Sequence, residues 1–584
     1  MKRKTVISRL RKLGLAVVAC LLFAVLVPLY FAERRDEPFA ISSVLASPRD
    51  LHAVTVPVRL SNAPDLMLNR GLVYAYGSTA QSDAISNMVL EGPVFTLNAA
   101  GLRATVPGGG GSLSVAEYGP VGPLIERLVT LGFDLVTIRR GTLHVTAFDG
   151  SLETISDIQA EVTGLRKGQI ASRGSFTIRG QRLVFDATLG QPSDKRLPLR
   201  WPLKASLNGG LLQASFDGHA DVAEDLQLIG HAEVSTPSLR RIGRWFGLPL
   251  YLTEGFNAVA IKGDLTWANR SLAFEKAKVS VDGNEANGRL AIHLGGERPL
   301  ADATLDFASL NLTPYAEATR TQFFGFDIPS GSWSFFDFSL PLIRHVDADL
   351  RISARKAALR GHSFGQSGAT ITARSGKLQA DITEVEFNSG TASAQVTAIM
   401  SEALPRYALR AKLENVEVGP AAAQLFGAAP LTGRATVTVE LTSSGYSAPE
   451  IVGRMSGKAG LTMSEGGRLA LDLKALHETA KTRGAVRGWT KLAKSPSSVD
   501  RLEARVLVID GIAFAEEMRA RVGGVGLAAS GRLGLGDGNM EMRVMMKSNV
   551  PSDRPLKHSD MVGGEMISLR GPWQEPLVRG EDAE

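Results

Sequence analysis

The chain has 584 residues with 65 Lys and Arg against 59 Asp and Glu, a formal net charge of +6, 61 glycines, 6% aromatic residues and one cysteine. A single cysteine excludes a disulfide within the chain. The modest charge, with Lys and Arg scattered among acids and no basic cluster interleaved with aromatics, argues against a nucleic-acid surface, and the many glycines point to short strands and turns.

The first element is a cationic leader, Lys2, Arg3, Lys4, Arg9, Arg11 and Lys12, followed by an apolar run from Leu13 to Ala32 and a return to charge at Glu33. About twenty residues at the helical rise span a bilayer. Only Arg34 and Arg35 lie beyond it, among Glu33, Asp36 and Glu37, so the positive bias places the N-terminus in the cytoplasm and the bulk of the chain on the other side. A cleaved signal needs a shorter apolar core and small residues before the cut, whereas here Tyr30 stands where a small residue belongs. The reading is an uncleaved anchor.

Further along, Leu124, Ile125, Leu128 and Leu131 have helical spacing. Thr236-Pro237 reads as a cap followed by proline, and Leu239, Ile242, Trp245 and Phe246 then form an apolar stripe beside Arg240, Arg241 and Arg244. Leu473, Leu476, Trp489 and Leu492 suggest a third helix, rich in Lys and Arg. The first and third are expected to cover open ends of a sheet, and the Leu239 helix to plug a sheet edge, with rest on a membrane surface as its alternative.

Elsewhere the period is two. Leu290, Ile292 and Leu294 alternate with polar or small residues, Ala303, Leu305 and Phe307 oppose Asp302, Thr304 and Asp306, Leu409, Ala411 and Leu413 oppose Arg410, Lys412 and Glu414, and Ala435, Val437, Val439 and Leu441 oppose Arg434, Thr436, Thr438 and Glu440. Asp149-Gly150, Asn208-Gly209, Asp217-Gly218, Asp282-Gly283, Ser375-Gly376, Asp510-Gly511 and Asp537-Gly538 read as the tight turns between such strands. The fold class expected is mostly β: an N-terminal transmembrane helix, then a long curled antiparallel sheet forming an apolar groove, with a few short covering helices. Stacking roughly 25 to 35 strands at about 4.8 Å gives a rod on the order of 120 to 170 Å. A pair of ordinary packed sandwiches reads similarly.

Signatures of catalysis are weak. Gly361-His362-Ser363-Phe364-Gly365 fits the G-x-S-x-G elbow pattern, but a strand, not the required helix, is expected after it, which leaves Ser363 as a solvated turn residue. Gly524, Gly526 and Ala529 mimic a dinucleotide fingerprint inside what reads as a hairpin, and Gly453 to Lys458 lacks the spacing of a phosphate loop. The nine histidines are spread without metal-ligand spacing. No catalytic residue, cofactor or metal is expected.

In two stretches the chain resembles the AsmA-like proteins of the Gram-negative inner membrane. The first contains Gly230-His231-Ala232-Glu233-Val234, the Pro237-Ser238-Leu239-Arg240-Arg241 helix start, Lys262-Gly263-Asp264-Leu265, Asn287-Gly288-Arg289-Leu290 and a close at Leu310-Asn311-Leu312-Thr313-Pro314-Tyr315. The second runs from Trp333 through Val346-Asp347-Ala348-Asp349-Leu350, Leu431-Thr432-Gly433 and Gly531-Arg532-Leu533 to the tail Ile567-Ser568-Leu569-Arg570-Gly571-Pro572-Trp573.

The resemblance implies one N-terminal anchor and a long curved periplasmic sheet with an apolar concave side, of the type called bridge-like lipid carriers. Such proteins are implicated in moving phospholipid between inner and outer membranes or in outer-membrane assembly. The resulting organisation is a leader at 1–12, a span at 13–32, a β-groove region at 33–320, a connector at 321–345 and an AsmA-like β region at 346–584. Expected groove lining comprises Leu290, Ile292, Leu294, Leu305, Phe307, Leu409, Leu413, Val437, Val439 and Leu441. Expected partners are phospholipid acyl chains, the inner membrane, and outer-membrane or envelope-assembly proteins, with no nucleic acid. The alternative is a periplasmic scaffold for outer-membrane protein assembly, whose apolar face is an ordinary core.

Overall fold

The structure, a computed structural model, describes most residues between His52 and Glu581, apart from segments that include 99–134, 192–198, 246–254, 316–325, 334–342, 420–430 and 490–495. The predicted anchor at 13–32, the helix through Leu124 to Leu131 and the Asp149-Gly150 turn lie outside the described residues. Among the described residues no helix is long and apolar enough to cross a membrane. They form 36 strands and a few short helices, so the chain is mostly β. Two compact units result, one of residues up to Tyr251 with Phe256–Ala303, the other of Leu252–Gly255 with Thr304–Glu584.

In the first unit, long strands pair with their sequence neighbours from Leu135–Thr146 to Asn284–His293, each antiparallel to the next. One pair departs from the expected meander: Ile85–Asn98 runs parallel to Leu135–Thr146. A parallel pair needs a crossover of a dozen or more residues, which the segment 99–134 supplies. The second unit continues the same scheme from Asp347–Ala354 to Leu577–Glu581, with consecutive long strands antiparallel.

Most of the predicted turn dipeptides are turns. Asp282-Gly283, Ser375-Gly376 and Asp510-Gly511 have positive φ at both residues, 51° and 82°, 52° and 84°, 45° and 76°. Two are corrections: Asn208-Gly209 is the paired end of the strand Leu199–Gly209, with the bend following at Gly210-Leu211, and Asp217-Gly218 is not at a turn at all. It lies inside Gln213–Val222, where Gly218 faces Gly230 of the next strand, and a Cβ on Gly218 would sit 2.5 Å from the Gly230 Cα. The glycine there serves close backbone approach rather than a bend.

Strands are also interrupted by β-bulges, which insert a residue and increase local twist. Register shifts occur between Phe274 and Ala277, Ile382 and Val385, and Leu413 and Val416. In each, two polar residues stand between apolar ones, and the second has positive φ: Lys276 at 48°, Glu384 at 52°, Asn415 at 54°. Two residues there oppose one on the partner strand, so the step of three across the bulge keeps the apolar set on one face.

The described helices are short, and Phe246 and Leu492 lie outside the described residues. Leu239–Trp245 forms after Thr236-Pro237, with Ser238 Oγ accepting from the Arg241 amide at 3.3 Å, so Ser238 caps the helix rather than Thr236. The third predicted helix covers only Leu473–Lys481; Trp489 lies beyond it and its indole Nε1 donates to the Trp573 carbonyl at 2.7 Å. Two short helices were not foreseen, Ala448–Gly453 with its early Pro449 and His558–Met561.

Candidate functional site: an apolar sheet face in each unit

Strand pairing places apolar residues of the second unit in rows that cross the sheet. Ile352, Ala369, Ile382, Ala394, Ala411, Val439, Ala459, Val506, Ala515, Gly531 and Met542 stand directly opposite one another in successive strands. Every one of them is half-buried. Directly opposed residues share a face of the sheet, so this row is one continuous apolar stripe, on the order of 50 Å at about 4.8 Å per strand. Alanine and glycine make up more than half of it. The flanking row on one side includes Leu350, Ile371, Val396, Leu409, Leu441 and Leu533, and on the other Leu413, Val437, Leu461 and Val544. Small side chains thus run between larger ones.

At one rim this face closes. Val416, Ala435, Met463, Val499 and Val522 are at most 2% exposed, and Leu473 and Leu476 of the helix Leu473–Lys481 join the same core. Leu413, Val437 and Leu461 pack against it, whereas Val439, Ala411 and Ala459, one row away, do not. The face therefore grades from a sealed core into a partly open surface.

The reverse face is polar. Lys458 Nζ lies 3.0 Å from Glu440, Arg505 Nη1 is 3.0 Å from Glu517, and Arg532 Nη2 is 2.9 Å from Glu541. Asp381 accepts from Gln395 at 2.6 Å and Gln379 at 2.8 Å, and these amides hold its carboxyl below the usual carboxylate range.

The first unit repeats the arrangement. Leu203, Gly218, Gly230, Leu265, Phe274 and Leu290 form one row, and Trp201, Ala220, Leu228, Trp267, Leu272 and Ile292 the next. Its earlier strands are sealed, with Leu90, Phe95, Val136, Ile138, Leu143 and Ile155 at 0 or 1% exposure. Leu228, Leu265, Trp267, Leu290 and Ile292 are half-buried.

Of the predicted lining residues, Leu409, Leu413, Val437, Val439 and Leu441 fall in neighbouring rows of the second unit's apolar face, and Leu290 and Ile292 in those of the first. Leu294 lies just past the end of Asn284–His293, and in Leu300–Phe307 Leu305 is half-buried while Phe307 is 5% exposed and sealed. Alternation marks Ala411 between Leu409 and Leu413, but the rest of the alanine row is not legible in the sequence, because alanine carries little weight in alternation and the row runs across strands rather than along one. Ser363 lies in the short strand His362–Phe364 and not in a turn; another strand, Ser367–Arg374, follows it. Gly523 and Gly524, with φ of 54° and 80°, form the turn of the hairpin that contains Gly526 and Ala529.

Among known proteins, the chain is similar to Protein AsmA of Escherichia coli (strain K12), with 22% identity over 233 residues. The similarity to this AsmA-like protein is a distant one. The similarity covers 39% of the chain and 37% of Protein AsmA, so most of both lies outside the match. No family model matches the chain. No solved structure matches it significantly. The AsmA-like relationship and the two-faced sheets are independent observations, one from sequence similarity and one from strand register.

Proposed function

We propose that this AsmA-like chain is a non-enzymatic carrier of phospholipid in the cell envelope, holding acyl chains on its apolar sheet faces while headgroups stay in water. The observation that carries this reading is the half-buried row from Ile352 to Met542. An ordinary core seals its residues, as the rim around Val522 does, whereas this row is apolar yet partly open along its length. Each methylene withdrawn from water contributes about 0.8 kcal/mol, so such a surface lowers the cost of taking a lipid out of a bilayer without forming a covalent bond. The alanines supply room for a chain between the flanking leucines and valines. In this reading the run Leu13 to Ala32 anchors the protein in the inner membrane, the bulk of the chain lies in the periplasm, and phospholipid moves between inner and outer membranes.

The direct test is to purify the full-length chain from its membrane and identify bound lipid by mass spectrometry. The carrier reading expects phospholipid in stoichiometric amount after detergent exchange. Lipid-free protein that still supports envelope integrity in a complementation assay would instead favour a scaffold for envelope assembly. Catalysis is tested separately. Ser363→Ala should leave complementation unchanged, and a large loss at normal protein abundance would contradict a role without chemistry.

A further inference from the structure

We infer that the outer face of the last strands of the second unit docks on the anionic headgroups of a phospholipid bilayer. Arg543 stands opposite Ser568, Ser568 opposite Arg579, and Arg579 opposite Ala485; beside them Arg570 stands opposite Leu577 and Leu577 opposite Arg487. Direct opposition places all of these on one face. Arg487, Arg543 and Arg579 are exposed, and among the described residues none has an acidic partner. Arg570 has only Glu581, at 3.8 Å.

The contrast with the rest of that face is what marks the patch. Lys412, Lys458, Arg505 and Arg532 each have a carboxylate within 3.0 Å, so their charge is neutralised locally. Over the terminal strands that neutralisation thins: Glu541 stands opposite Arg570 but pairs with Arg532, and Glu581 lies 3.8 Å from Arg570, which among the described residues leaves Arg487, Arg543 and Arg579 without a carboxylate. Leu577, 40% exposed between Arg487 and Arg570, gives the patch an apolar centre. A basic surface around an exposed leucine fits a bilayer interface, where anionic headgroups lie next to acyl chains. It suits a soluble acidic protein less well, because that partner gains nothing from an isolated leucine among guanidinium groups.

The test holds the full-length chain in phosphatidylcholine nanodiscs and reads its co-flotation with added vesicles, made either of phosphatidylcholine alone or of phosphatidylcholine with phosphatidylglycerol. Vesicles containing phosphatidylglycerol should be captured and neutral ones should not, with capture falling as salt screens the exposed charges. Arg487→Gln combined with Arg579→Gln should weaken capture by about tenfold or more. Arg532→Gln, which removes a cation already paired with Glu541, should capture vesicles as the parent does. Equal capture of both vesicle types, capture insensitive to salt, or an Arg487→Gln/Arg579→Gln protein that binds like the parent would each overturn the docking surface. The readout does not depend on lipid held on the apolar face, so it stands apart from the carrier reading. Arg543→Gln alone, at an exposed site, repeats the test if the double variant loses its protease-resistant fold.

Discussion

At the scale of single residues, the bulge positions concentrate backbone strain. Asn415 has φ of 54°, in the left-handed region that asparagine tolerates and β-branched residues avoid. Asn415→Val should destabilise the second unit by about 1 to 2 kcal/mol in denaturant unfolding, while Asn415→Gly should be nearly neutral. An Asn415→Val midpoint equal to the parent's would mean the bulge carries no strain. Asp560 makes a second residue-scale prediction. Arg554 grips both its carboxylate oxygens at 2.8 Å and the Lys557 amide donates to it at 2.8 Å, which lowers its pKa to about 2. A carboxyl whose folded pKa is depressed stabilises the fold above its unfolded pKa, near 3.9, and loses that contribution as pH falls toward about 2. The protection of amides around His558–Met561 against hydrogen exchange, relative to their intrinsic rate at each pH, should therefore fall between about pH 4 and pH 2. Asp560→Asn should already show low protection there at neutral pH and lose that acid dependence.

At the scale of elements, the strands were largely legible and the helices were not. Ala435, Val437, Val439 and Leu441 share one face as alternation requires, and Leu409, Ala411 and Leu413 face Leu441, Val439 and Val437 in register. Alternation fails where bulges intervene, because a step of three between Leu413 and Val416 looks like the end of a strand although the strand continues to Glu417. Asp217-Gly218 misleads for a different reason: a short-range turn signal is overridden by the close approach of Gly230 in a strand that sequence alone does not pair with it. The helix predicted through Leu492 stops at Lys481 because Ala485–Arg487 pairs with Leu577–Arg579 and draws the chain back into the sheet. What remains, Leu473–Lys481, seals one rim. Leu476 is 5% exposed in the core, so Leu476→Ala should cost about 2 to 5 kcal/mol and lower the melting temperature of the second unit. An unchanged melt would show that the helix rests on the rim without closing it.

At the scale of the whole molecule, the candidate site was legible as a list of apolar positions but not as rows. The rows depend on which strands pair, and on whether the face is sealed or open, and neither is written in local alternation. Half-burial of Val439, with Ala411 and Ala459 on either side, is what separates a carrier surface from a core. Substituting aspartate there distinguishes the two, because an unpaired charge inside a sealed core unfolds it while one at an open surface is solvated. Val522→Asp, at a position with no exposure, supplies the sealed case and should unfold the second unit. Ile292→Asp repeats the open case in the first unit, where Ile292 is half-buried opposite Leu272. The measurement that bears most directly on the carrier reading is the phospholipid that copurifies with full-length Val439→Asp, quantified by mass spectrometry beside Thr438→Asp on the polar face. The account predicts a folded, protease-resistant Val439→Asp protein with several-fold less bound phospholipid, and Thr438→Asp protein unchanged in both respects. A Val439→Asp protein that is degraded or molten, or one that is folded and carries as much phospholipid as the parent, would contradict it.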